Sequence, residues 1–278
     1  MRKFRIVSDS SSDLITLDGA DFAYSPMKVI CAEREFVDDD ALDVDAMVKF
    51  FDTYKGRSKS SCPNPTDWIR AFGDADDVIC VTITSGLSGS YNSACTAKKL
   101  YEEDHPGRRV FVLDSLSAGP EMTLAVKKIL ELSNGGMEYE DICKNIVEYN
   151  KKTGLIFMLK SLKNFANNGR VSPLVAKIVG IAGICIVGKA SDEGTLEPMH
   201  KCRGEARSID TLVEELKKHG LRRGRVSIGH CNNLSAAESL KKKITEVFGK
   251  LEVEIHHMRG LCCFYAEMGG MLVGFEKF

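Results

Sequence analysis

The spacing of apolar positions changes along the chain between two regimes. Short runs rich in β-branched residues occupy Phe4–Val7, Val78–Ile83, Val110–Leu113, Leu155–Leu159, Ile184–Val187, Val226–Ile228, Leu251–Ile255 and Met271–Phe275. Longer stretches with apolar residues every three or four positions cover Val44–Tyr54, Thr66–Phe72, Ser88–Glu102, Pro120–Leu132, Tyr139–Lys151, Ile209–Lys218 and Ser235–Phe248. In the third of these, Ala94, Ala97, Leu100 and Tyr101 recur at helical spacing. The short runs predict strands and the long ones helices. Their alternation predicts βαβ units, hence an α/β fold with mostly parallel sheets. Asn134-Gly135-Gly136 is a helix stop signal after the fourth helix.

A chain of 278 residues is long enough for two domains. Charge supports a division. Residues 1–150 carry 17 Lys and Arg against 26 Asp and Glu, a net of -9, whereas residues 151–278 carry 21 against 13, a net of +8. With the Lys151-Lys152-Thr153-Gly154 step, this places domains at 1–153 and 154–278, whose opposite fields favour mutual approach. The overall formal charge of -1 argues against a nucleic-acid binder that works by neutralising phosphates.

The ten cysteines contain no CxxC pair, which removes zinc-ribbon and thioredoxin readings and leaves no metal site to expect. Cys80 and Cys185 lie in apolar runs, where a free thiol behaves as a small hydrophobe. No signal-peptide apolar region fits Met1-Arg2-Lys3-Phe4-Arg5, and the longest apolar stretch, Ile178 to Val187, is too short to span a bilayer and holds two glycines. A reducing, cytoplasmic setting without stable membrane insertion is the expectation.

Three of the expected N-terminal strands run into hydroxyl-rich segments: Ser8-Asp9-Ser10-Ser11-Ser12-Asp13, Thr84-Ser85-Gly86-Leu87-Ser88-Gly89-Ser90-Tyr91, and Asp114-Ser115-Leu116-Ser117-Ala118-Gly119. In a parallel sheet such strand ends share one edge, where open α/β folds bind ligands. Ser88 stands where a helix N-cap is expected, with glycines on both sides, and a helix N-terminus suits a carboxylate or phosphate. A single Ser- or Asp-containing loop is ordinarily just a cap; three on one edge point to an anion site. The prolines of Ser60-Ser61-Cys62-Pro63-Asn64-Pro65 fix an extended approach that can present Ser60 or Ser61 to the same crevice. Arg170, after the turn Asn167-Asn168-Gly169, can pair with an anion held there.

The signal for an enzyme is weak. There is no P-loop sequence, and Gly180 and Gly183 lack the GxGxxG form. A phosphotransferase or hydrolase in the same crevice would need a base, for which His230, after a strand, or Asp114 is the candidate.

Taken in order along nearly the whole chain, these segments resemble the DegV family of fatty-acid-binding proteins. Ser8 to Leu14 is similar to the family's SDSxxDL opening, Ser60-Ser61-Cys62-Pro63 to TSQP, and Thr84 to Tyr91 to TSxLSGTY. Asp114 to Ala118 is similar to DSxSAS, Leu159 to Ser172 to LxxLxxGGRIS, and Gly194 to Gly204 to the hairpin and KxRG segment. The resemblance implies two α/β domains with a long-chain fatty acid between them. Its carboxylate would be bound in the region of Ser60, Ser61, Ser85, Ser88, Gly89 and Arg170, and Leu174–Val187 would supply tunnel wall. It further implies no cofactor and no catalytic residue: the chain would present the acid to a separate ATP-dependent fatty-acid kinase. The sequence departs from the family at Ser60 for Thr, at Asn168 for the first glycine of GGRIS, and at Glu267-Met268-Gly269-Gly270-Met271, where the family carries HTGPG. An ionised Glu267 facing the ligand would repel a carboxylate.

Overall fold

A computed structural model describes residues 2–171 and 183–278. The first sheet is built from β1 (Phe4–Asp9), β2 (Phe22–Ser25), β6 (Asp77–Thr82) and β7 (Arg109–Asp114), all parallel, in the order β2-β1-β6-β7. The C-terminal ends of β1, β6 and β7 therefore lie on one edge, as the alternation predicts. Of the helices α1 (Val44–Thr53), α2 (Pro65–Phe72), α3 (Ser90–Asp104), α4 (Pro120–Asn134) and α5 (Tyr139–Asn150), the second shows most plainly why it starts where it does. Asn64 Oδ1 accepts from the Asp67 N–H at 3.0 Å, Asp67 Oδ2 accepts from the Asn64 N–H at 3.1 Å, and Pro65 fills the first helical position. Its Trp68 and Phe72 pack with Ala94, Ala97 and Tyr101 of α3 against Val7, Val78 and Cys80. Leu100, expected on the same stripe, is 42% exposed, because the buried face of α3 follows positions 94, 97 and 101.

A small antiparallel sheet was not legible in the apolar pattern. It joins β3 (Lys28–Cys31), β4 (Glu35–Val37) and β5 (Ser58–Ser61) in the order β4-β3-β5. The sequence Ser58-Lys59-Ser60-Ser61 has no apolar alternation, so only its pairing to β3 makes it a strand.

The C-terminal sheet corrects the expectation of mostly parallel strands. It orders β8 (Thr153–Leu159), β9 (Ile184–Ala190), β10 (Leu196–Arg203), β11 (Arg225–His230), β12 (Glu252–His257) and β13 (Met271–Glu276) as β10-β9-β8-β13-β11-β12. Only β11 and β12 are parallel. Connection length explains this. Between β9 and β10 the chain has only the short turn after Ala190, enough for a hairpin and too short for a crossover. The remaining helices among the described residues are α6 (Lys163–Asn167), α7 (Glu205–Lys218), α8 (Leu234–Phe248) and α9 (Gly260–Ala266), and α8 is the crossover between the one parallel pair of this sheet. Helix α4 is buried from Pro120 to Val126, and Met122, Ala125, Val126 and Ile129 share one core with Phe157, Leu159 and Leu261. That core runs across the step at residue 153. All ten cysteines are free thiols.

Ser8 to Ser12 are completely buried. Asp9 accepts from the Ile83 N–H at 2.9 Å and the Ser90 hydroxyl at 2.7 Å, and also from the Ser11 hydroxyl. Burial pushes its carboxyl above the ordinary value, and these donors pull it back. Asp38 accepts from the Gly260 and Leu261 N–H groups at 2.8 and 2.9 Å and from the Ser10 hydroxyl at 2.9 Å, so it caps α9 from the other half of the chain.

Burial raises Asp38 from 3.8 to about 6, against the lowering effects of the Leu261 and Gly260 N–H groups, the Ser10 hydroxyl and Arg259. Between these values the folded chain keeps a proton that the unfolded chain has lost, so this group's contribution to stability falls as pH rises from about 4 to about 6 and is level above. The unfolding free energy of the wild type, measured in urea relative to Asp38→Asn, should fall by about 3 kcal/mol across that interval. A flat difference would place the titration elsewhere.

Candidate functional site

A small cavity of about 80 Å³ opens between the C-terminal edge of the first sheet and the face of β8. Leu155, Phe157 and Leu159 line it from alternate positions of β8, which places them on one face of the strand. Leu261, Cys262, Tyr265 and Ala266 of α9 add to the wall. Ala190, Gly194, Thr195 and Leu196 of the β9–β10 hairpin line it as well. The hairpin is laid directly on the loop after β6. A Cβ at Gly194, whose φ is +71°, would stand 2.0 Å from Thr84 Oγ1, and one at Gly86 would stand 2.5 Å from the Glu193 carbonyl oxygen.

Polar groups gather at one end. Ser60 of β5 lines the cavity, and its hydroxyl lies 2.6 Å from that of Tyr265. The Ser60 N–H donates to Asn168 Oδ1 at 3.3 Å, tying β5 to the turn after α6. Arg170 lines the cavity from that turn, with Nε donating to the Leu87 carbonyl at 3.3 Å and Nη1 to the Asn168 carbonyl at 2.6 Å. Among the described residues no carboxylate pairs with its guanidinium. Ser88 lines the cavity too, and its Oγ accepts from the Ser90 N–H at 3.3 Å. The N-cap of α3 is Gly89 rather than Ser88, so Ser88 reaches only the first N–H of the helix, and the next two carry no side-chain cap. The remaining N–H groups at the start of α3, the hydroxyls and a guanidinium with no carboxylate partner among the described residues together make this end attractive to an anion.

Other expected site residues are placed apart from the lining. Ser61 donates to the Cys62 carbonyl at 3.3 Å, and Ser85 is exposed, its N–H bound to Asp114 Oδ1 at 3.1 Å. Of the three hydroxyl-rich segments, the one after β1 is packed inside the protein. The one after β7 contributes Ser117 and Ala118, but Ser117's hydroxyl is committed to the buried Glu121, which also accepts from Thr153 at 2.7 Å. His230 Nδ1 accepts from the Asn233 N–H at 3.3 Å, and Asp114 also accepts from the Leu116 N–H at 3.1 Å; neither lines the cavity. Burial, with His257 and His256 nearby, holds His230 below its ordinary value. No group of three or more His, Cys, Asp or Glu among the described residues could hold a metal.

The expected tunnel wall at Leu174–Val187 falls outside the described residues as far as position 182. Cys185 and Val187 belong to the separate core beneath α7 and α8. The walls from β8 and α9 were missed by sequence reasoning: Leu155–Leu159 reads there only as a strand, and residues 260–266 carry no element. Tyr265 was missed as well, although a tyrosine next to apolar Phe264 and Ala266 is a polar tip in an apolar setting.

The model of a family described as "Uncharacterised protein, DegV family" matches residues 3–277. The chain belongs to the DegV family. A DegV domain-containing protein of Streptococcus pneumoniae, spr0652, is 41% identical over 277 residues, covering 98% of this chain and 99% of that protein. Among solved structures, a DegV family protein of Eubacterium eligens loaded with heptadecanoic acid has a TM-score of 0.97 and 38% identity, covering 99% of this chain and 100% of its own. The Fatty Acid Kinase (Fak) B3 protein of Streptococcus pneumoniae, loaded with linoleic acid, has a TM-score of 0.97 and 40% identity at the same coverage.

Glu267, the departure from the family's HTGPG sequence, does not line this cavity. Its backbone takes φ 57°, and Oε1 accepts from the Ser161 hydroxyl at 2.9 Å and the Asn164 N–H at 3.1 Å. Asn164 Nδ2 in turn donates to the Phe264 carbonyl at 2.7 Å. Glu267 thus pins the start of α6, whose far end carries the Arg170 turn. Glu267→Ala should lower the unfolding free energy in urea by about 1–3 kcal/mol. Glu267→Gln, which keeps the acceptor oxygen, should lose less; equal losses would mean that the charge, and not the acceptor, matters.

Proposed function

We propose that this DegV protein binds a long-chain fatty acid between its segments 1–153 and 154–278. The carboxylate lies near Ser60, Ser88 and Arg170, and the alkyl chain runs along β8. The observation that carries this reading is the cavity itself: apolar side chains on β8 and α9, with hydroxyls and a guanidinium that meets no carboxylate among the described residues collected at one end. Each buried methylene contributes about 0.8 kcal/mol, so about fourteen contribute roughly 11 kcal/mol before ordering costs. The alkyl chain sets affinity and the polar end sets direction. The likeness to proteins that hold heptadecanoic and linoleic acid supports the same ligand class.

In this reading the chain is a carrier and not a catalyst. Its two candidate bases, His230 and Asp114, are engaged in local turns away from the cavity. The likeness to a protein named for a fatty acid kinase supports delivery of the acid to a separate ATP-dependent kinase. No helix among the described residues is long and apolar enough to cross a membrane, which is compatible with a cytoplasmic carrier.

Native mass spectrometry of the purified protein should show a bound mass that solvent extraction identifies as a fatty acid. A ligand-free protein that also fails to displace a fluorescent fatty acid would overturn the proposal. Ser88→Ala should weaken binding of the acid by roughly ten- to a hundredfold, the cost of a hydrogen bond to a charged group. It should change binding of the methyl ester far less. Unchanged affinity for both would remove Ser88 from the carboxylate site.

A further inference from the structure

Tyr265 reaches the polar end of the cavity from α9 and lies among the residues that line it. Its ring is fixed on two sides, 4.6 Å from Phe165 and 5.0 Å from Phe264 between ring centres. Its hydroxyl and that of Ser60 are 2.6 Å apart, a short bond between two groups that can each donate or accept. Two hydroxyls bring two protons, and one bond between them uses one. Among the described residues neither makes a further side-chain bond that takes up the second. The pair therefore offers one O–H to something else, beside an arginine that has no carboxylate partner among the described residues. Burial keeps the phenol protonated, with its pKa above the ordinary value despite the Ser60 bond and the nearby Arg170.

We propose that Tyr265 is a carboxylate-binding residue, acting with Ser60 as one hydroxyl pair whose free proton is donated to the fatty acid. This rests on the fatty-acid reading above and extends it to a residue that no motif in the sequence marks. Either sense of the Ser60–Tyr265 bond gives the same requirement. If serine donates to the phenol, Tyr265 contacts the carboxylate directly. If the phenol donates to serine, it polarises the serine hydroxyl that makes the contact, because chained hydrogen bonds strengthen one another. Because the pair acts as a unit, removing either hydroxyl removes most of its effect.

The test uses hexadecanoic acid and its methyl ester, titrated against wild type, Tyr265→Phe, Ser60→Ala and the double variant. Tyr265→Phe keeps the ring and its packing on Phe165 and Phe264. It should weaken binding of the acid by about tenfold or more and of the ester by less than about threefold. The double variant should lose little beyond the worse single variant, since both act through one proton. Wild-type affinity for the acid in Tyr265→Phe would overturn the assignment. So would equal losses for acid and ester, which would mark Tyr265 as wall only, or fully additive losses in the double variant. A wild type that binds neither acid nor ester would instead overturn the fatty-acid reading itself. Retained ester binding by Tyr265→Phe shows that its cavity is intact, so a loss confined to the acid cannot come from misfolding.

Discussion

The architecture depends on two carboxylates buried chiefly among neutral donors. Asp9 ties the end of β1 to the loop after β6 and to the first turn of α3. Asp38 ties the segment after β4 to the start of α9, more than two hundred residues away. Each gathers backbone N–H and serine O–H groups from elements distant in sequence. An acceptor with several lone pairs in a low-dielectric interior is expensive to bury and stays only where its donors are held in place. The serine-rich segment after β1 is the scaffold of that arrangement: Ser10 donates to Asp38, and Ser11 both donates to Asp9 and receives the Gly119 N–H through its carbonyl at 2.7 Å. The elements that frame the cavity are thus aligned by groups that never touch it.

This division of labour decides what could be read from sequence. Strand–helix alternation located β1, β6 and β7 of the first sheet but not the short edge strand β2, because burial on both faces writes an apolar run and one-sided burial writes a helical stripe. It missed the sheet of β3, β4 and β5, whose polar residues owe their conformation to pairing, and the direction of the C-terminal strands, which depends on connection length rather than on composition. At the site, Ser60, Ser88 and Arg170 were legible through their motifs, and the structure brings them to one cavity. The segment Ser8–Ser12 has the same composition as a binding loop and sits wholly inside, since a serine hydroxyl serves a buried carboxylate as well as a bound one. Tyr265 and the walls from β8 and α9 were illegible because a lining residue and a core residue have the same apolar signature until the empty volume between them is known.

Glu267 shows how a departure from the family pattern can be neutral for a ligand. The backbone at that position turns with positive φ, and the carboxylate is drawn to the start of α6, where a hydroxyl and an N–H await an acceptor. The negative charge is aimed at the scaffold of the Arg170 turn and away from the cavity. The site keeps its anion-attracting character two residues after Tyr265 enters it.

Along the β9–β10 hairpin the cavity is bounded by two close approaches at glycines, Gly194 against the Thr84 side chain and Gly86 against the Glu193 carbonyl. The seam sets a bare glycine against a threonine side chain on one side and against a carbonyl oxygen on the other. It tolerates no thickening. A single methyl group at either glycine would act as a wedge, holding the hairpin off the loop and letting water reach whatever alkyl chain lies inside, at about 0.8 kcal/mol for each methylene it wets.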